Sequence, residues 1–113
     1  MEECIFCKII NKEAEGDVVY EGEDIVAFKD IRPKAPVHIL IVPKKHVHDL
    51  NGFESGDAEL LGRIMLQAAA IAKEQGIEQS GYKVITNTGD DGGQIIQHFH
   101  VHLVGGEPIK VVV

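Results

Sequence analysis

The sequence predicts an α+β domain, an antiparallel sheet of about five strands with one long and one short helix packed on it. Three observations carry this. Apolar residues recur at helical spacing in only two places, five short β-branched or aromatic runs surround them, and turn residues join four of those runs into two hairpins. At 113 residues the chain has single-domain size, so one domain is expected over residues 1–113.

The elements follow in chain order. Residues 4–12 place Ile5, Phe6, Ile9 and Ile10 at helical spacing, which predicts the short helix. Asp17–Glu21 and Ile25–Phe28 read as strands, and Gly22-Glu23-Asp24 is the turn of their hairpin. Pro33 and Pro36 break the chain before the β-branched strand Val37–Val42, which Pro43 ends. The long helix is predicted from about Asp57 to Gln75, with Ser55 as N-cap and Gly76 at C′. Its buried face would hold Leu60, Leu61, Ile64, Met65, Ala68, Ile71 and Ala72. Tyr82–Thr88 and Gln97–Val104 complete the sheet, joined by the glycine-rich turn Gly89–Gln94.

Composition narrows the function. Apolar residues make up 44% and charged residues 26%, which suits one core, and with no Trp and few aromatics that core is aliphatic. A formal charge of −7 argues against a protein that clings to nucleic acid by neutralising phosphates. A single nucleotide can still bind where backbone N–H groups or local positive charge receive it. The acidic start Met1-Glu2-Glu3 is unlike a signal peptide, and no apolar run approaches the roughly 20 residues that cross a bilayer. A cytoplasmic protein without membrane contact is expected. Two cysteines three residues apart cannot form a disulfide framework.

The chemistry concentrates in one strand. His98, His100 and His102 alternate, so they share one face, while Phe99, Val101 and Leu103 share the other. Histidine titrates near neutrality, so three on one face make a proton-transfer array or a metal site. Same-face neighbours lie about 7 Å apart and the outer pair about 13 Å apart, which strains a single ion held by all three. A line of imidazoles suits an extended phosphate better. A tri-histidine metal protein also lacks the carboxylate ligand expected beside it.

Here the sequence resembles a known family. Gly93-Gln94-Ile95-Ile96-Gln97-His98-Phe99-His100-Val101-His102-Leu103-Val104 is similar to the histidine-triad (HIT) signature, and Gly105-Gly106 to its Hint branch of nucleoside phosphoramidases. CIFCKII and AFKDIRPKAPVHILIVPKKH extend the likeness over nearly the whole chain. The resemblance implies a HIT fold and a homodimer, joined through the long helix and an edge strand. The aliphatic end Val111–Val113 would be awkward if left exposed, which favours the same pairing. It implies that His100 attacks the α-phosphorus to form a covalent nucleotidyl-histidine, that His102 binds phosphate and serves the leaving group, and that His38 supports the triad by relaying protons. It also implies that Asp30 accepts from ribose hydroxyls and that Phe6, Ile9, Phe28 and Ile31 enclose a purine base. Read alone, His38 suits a structural role, Asp30 a turn, and the apolar four plain core. Asn87, Gly93, Gln94 and Ile95 would meet the phosphate, although Asp91–Gly93 are hairpin residues first. Ile95 stands where the branch commonly has a hydroxyl residue, and Ala14 where a larger apolar residue lines the base pocket.

Cys4-x-x-Cys7 supplies half of a tetrahedral zinc site. The resemblance to bacterial members suggests His46 and His98 as the other ligands, with His48 a competitor, giving a closed structural zinc. A redox pair and two unligated thiols are the alternatives. No organic cofactor is expected. The sequence thus points to a hydrolase of purine nucleoside phosphoramidates; the rivals are a dinucleoside polyphosphate hydrolase and a nucleotide- or protein-binding module with little turnover.

Overall fold

A computed structural model describes residues 4–110. The Val111–Val113 end, assigned above to a dimer contact, lies outside the described residues. Helix α1 spans Ile5–Ile10, strands β1 and β2 Val18–Glu21 and Ile25–Lys29, and β3 Val37–Pro43. Two 3₁₀ turns, Leu50–Gly52 and Ser55–Asp57, lead into α2 (Ala58–Glu74), and β4 (Tyr82–Ile85) and β5 (Val101–Gly105) follow. The five strands form one antiparallel sheet in the order β1-β2-β3-β5-β4. The predicted fold class and element order are the observed ones.

Both sheet faces are covered, which explains why β2 and β3 read as unbroken apolar runs. Ile25, Ala27, Ile39, Ile41, Val101 and Leu103 pack under Ile64, Ala68, Ile71 and Ala72 of α2. Val26, Phe28, Leu40 and Val42 point the other way, against Phe6 of α1. The α1 face carries the site.

Three expectations need correction. Ser55 is not the N-cap of α2, because it lies in the 3₁₀ turn, where Glu54 and Asp57 cap each other reciprocally and Lys45 holds Asp57 at 2.8 Å. Met65 is 51% exposed, because α2 buries a narrower stripe than its apolar residues allow. The last hairpin is shorter than predicted at both inner ends. Thr86 leaves the ladder to donate its hydroxyl to the His100 carbonyl at 2.8 Å, and the Phe99 N–H goes to Val47 O at 2.6 Å. Gly76 does take the left-handed conformation at C′, with φ +76°.

Candidate active site

Register brings the site together. Leu40 of β3 pairs with Phe28 on one side and with His102 on the other, and His38 lies two residues before Leu40 on the same face. His98 and His100 precede β5 outside any ladder, yet they keep its alternation. Phe99 stacks edge-on to Phe53 at 4.8 Å on the α2 side, while His98 and His100 meet the Phe6 ring at 5.9 and 5.1 Å. The His100 and His102 rings stand 4.9 Å apart. The shared face expected of a strand therefore survives without the strand.

Main-chain partners fix the tautomer of each ring, since a carbonyl can only accept and an amide N–H can only donate. His98 Nε2–H donates to Pro43 O at 2.9 Å, which leaves Nδ1 as a lone pair. His100 Nδ1–H donates to His98 O at 2.7 Å, which leaves Nε2 as a lone pair. His38 reverses the pattern: its Nδ1 accepts from the Lys34 N–H at 3.0 Å, so the proton sits on Nε2, 2.9 Å from His102 Nδ1. His102 then carries its own proton on Nε2. These rings are held neutral. Burial lowers His38 and His100, and burial with the His100 and His38 neighbours takes His102 down to about 4. Asp30 opposes the shift at all three.

At the upstream end, Cys4 Sγ lies 3.3 Å from His98 Nδ1, and Cys7 Sγ lies 3.3 Å from His46 Nδ1 and 3.6 Å from His98 Nδ1. All four ligand atoms fall within 4.8 Å of one another. A tetrahedral ion with bonds of about 2.0–2.3 Å sets its ligands about 3.3–3.8 Å apart, so this donor set fits zinc. Cys4 also caps α1, accepting from the Cys7 N–H at 3.3 Å, so the helix start shapes the site. Burial, then the bond and charge of Cys4, push the Cys7 thiol up to about 11; a bound dication would reverse that. His48 takes no part, because its ring is exposed and paired with Asp49.

A second cluster, Asp30, His38 and His102, also gathers its polar atoms within 4.8 Å, with Asp30 Oδ2 3.4 Å from His38 Nε2. It is not a ligand set. The Lys34 amide leaves the His38 proton on the nitrogen that a metal would need.

Of the residues singled out in the sequence, Phe6, Ile9, Phe28, Asp30, Ile31, His38, Asn87, Gly93, Ile95, His100 and His102 line one open cleft of about 1380 Å³. Ile31 and Ile95 stand at its mouth, 88% and 84% exposed. Gln94 is a correction. Its side chain is buried, accepting from the Gly89 N–H and donating to His48 O and Ile96 O, so it ties the loop internally and does not face the cleft. The sequence reading missed Lys34, Thr86 and Pro43, which act through a main-chain amide, a hydroxyl on a carbonyl, and a carbonyl. Among them only Thr86 acts through its side chain, so no residue pattern could announce the other two.

Residues 3–108 match the family described as scavenger mRNA decapping enzyme C-term binding. The purine nucleoside phosphoramidase of Escherichia coli K12 is 44% identical over 108 residues, covering 96% of this chain and 91% of that protein. Protein HitA of Neisseria gonorrhoeae is 45% identical over 93% of this chain and 97% of its own. Among solved structures, a histidine triad protein from Clostridium difficile superimposes with a TM-score of 0.95 at 41% identity, covering 100% of this chain and 98% of that one. A HIT family hydrolase from Legionella pneumophila gives 0.92 at 43%, covering 94% and 95%.

Proposed function

The chain belongs to the histidine-triad family, and from that premise we propose that it is a single-domain hydrolase of purine nucleoside phosphoramidates acting through a covalent nucleotidyl-histidine on His100. The observation that carries this is the His100 tautomer: Nδ1–H is spent on the His98 carbonyl at 2.7 Å, so Nε2 keeps its lone pair, unprotonated because the ring is buried.

In this reading Nε2 of His100 attacks the α-phosphorus as the bond to the leaving amine breaks. The amine leaves with its electron pair and takes its proton from His102 Nε2 once that ring has gained a second proton with the anionic substrate, so the transfer leaves His102 neutral. Water then attacks phosphorus, returns a proton to His102, and releases His100 as the neutral imidazole. His38 serves as a fixed donor that orients His102, rather than a relay open to solvent, because the Lys34 amide occupies its other nitrogen. Asp30, at the mouth beside Phe28, receives the ribose, and Phe6, Ile9, Phe28 and Ile31 form the base wall. Asn87 and Gly93 border the phosphate, Gly93 at φ +81° with no side chain to narrow the cleft. Ile95 offers no hydroxyl to it.

The Cys4, Cys7, His46 and His98 set would hold a structural zinc, closed because all four ligands come from protein, and would brace the main chain whose carbonyl orients His100. Free thiols of this kind belong in a reducing compartment such as the cytoplasm. No helix among the described residues is long and apolar enough to cross a membrane. A homodimer through α2 and the β4 edge would cover Met65, Leu66 and Tyr82, which are 51%, 72% and 36% exposed.

The test incubates wild type and His100→Asn with adenosine phosphoramidate. Turnover is expected to fall by on the order of 10³-fold or more in the variant, with an adenylyl adduct trapped only in wild type. Turnover that survives the substitution removes His100 as nucleophile. A wild type that binds AMP and turns nothing over favours the binding-module reading.

A further inference from the structure

Arg32 and Lys34 stand out in a chain whose formal charge is −7. Both are exposed, both line the cleft, and both lie in the connection from β2 to β3. Their main chains are pinned to the site. The Arg32 N–H donates to Asp30 Oδ1 at 2.8 Å and the Lys34 N–H to His38 Nδ1 at 3.0 Å. Two cationic side chains are therefore rooted on the atoms that fix Asp30 and His38. Lys34 Nζ lies 3.3 Å from Arg32 O, which draws its ammonium back over the same loop, and its charge is felt at both His38 and His102.

The other charges around the cleft are placed differently. Lys29 is paired with Asp17 at 3.6 Å, Glu15 follows α1 near Ile9, and Glu107 and Lys110 lie beyond β5. A nucleoside monophosphate gives Arg32 and Lys34 little to pair with: the α-phosphate belongs to His100 and His102, and base and ribose are uncharged. A guanidinium fork beside an ammonium suits a phosphate-type anion.

We propose that Arg32 and Lys34 form an anion-binding arm that receives a second phosphate-type group of the nucleotide, beyond the α-phosphate. The inference rests on the reading of the cleft as a nucleotide site. The second anion can come from the leaving-group side, as a β-phosphate, or from the ribose side, as a phosphate on the hydroxyl next to Asp30. The arm selects substrates by charge and takes no part in bond breaking.

Calorimetric titration of the full chain with AMP, ADP and adenosine 3′,5′-bisphosphate tests this. ADP stands for the leaving-group side and the bisphosphate for the ribose side. Wild type is expected to bind one of the two at least about tenfold more tightly than AMP, a preference that shrinks as salt rises. In the doubly substituted Arg32→Ala, Lys34→Ala protein, which keeps both main-chain amides, the ratio is expected to fall to about one. Equal affinities in wild type, or a preference that persists in the double variant, overturn the proposal. If none of the three binds, the nucleotide reading itself falls and takes the arm with it. AMP binding with no preference leaves that reading standing and removes the arm alone.

Discussion

Two clusters built from similar donors lie side by side in this protein, and their chemistry is opposite. Cys4, Cys7, His46 and His98 bring lone pairs together; Asp30, His38 and His102 bring together a chain of donors and acceptors. The difference is set one atom beyond each cluster. At His98 the far ring nitrogen meets a carbonyl, Pro43 O, so the near nitrogen is a lone pair free for a metal. At His38 the far nitrogen meets an amide, Lys34 N–H, so the near nitrogen carries the proton. A main-chain group, rather than the identity of the side chains, separates a set of donors that can hold a metal from a hydrogen-bonded chain.

The comparison can be broken at either end. The largest effect is expected at the proposed zinc site. Elemental mass spectrometry is expected to find one zinc per chain in wild type and none in Cys4→Ser, which removes one thiolate and one cap of α1. The variant's thermal midpoint is expected to drop by on the order of 10 °C. A protein that carries zinc unchanged after this substitution contradicts the assignment of the site.

At the other end, His38→Phe leaves His102 Nδ1 without its donor and frees the His102 ring to take the wrong tautomer. Turnover of adenosine phosphoramidate is expected to fall about 10–100-fold with zinc content unchanged. His38→Gln offers an amide N–H to His102 and a carbonyl to Lys34, so it is expected to keep more activity than the Phe variant. Equal losses in both would mean that ring packing, at 5.2 Å between the His38 and His102 centroids, matters more than the proton.

The smallest effect is on pH dependence. His102 titrates near 6.5 when unfolded and near 4 in the fold, so between those values the unfolded chain binds more protons. Its contribution to stability is present above about pH 6.5 and is lost as pH falls toward 4. The thermal midpoint is expected to decline from pH 7 to pH 4.5, less steeply in His102→Gln than in wild type. Identical slopes would show that other groups govern acid unfolding.

Much of this was legible in the residues. Alternating His98, His100 and His102 against Phe99, Val101 and Leu103 stated which side chains share a face, because a period of two persists in any extended backbone. The Cys-x-x-Cys spacing and its helix gave half of the metal site, and Gly76 marked the end of α2. The predicted strand from Gln97 was too long because the sequence does not show that Val47 and Thr86 take its hydrogen bonds. Gly93 and Ile95 line the cleft, but Gln94 between them does not, because both ends of its amide are satisfied inside the loop.

By itself the sequence determined the α+β order, the shared face of the histidines and the residue types that could hold a metal or a phosphate. The tertiary structure alone decided which nitrogen of each ring is free. That choice depends on a carbonyl 55 residues away at His98 and on an amide four residues away at His38. Every residue other than proline carries both main-chain groups, so their placement leaves no trace in residue identity and is settled only when the chain has folded.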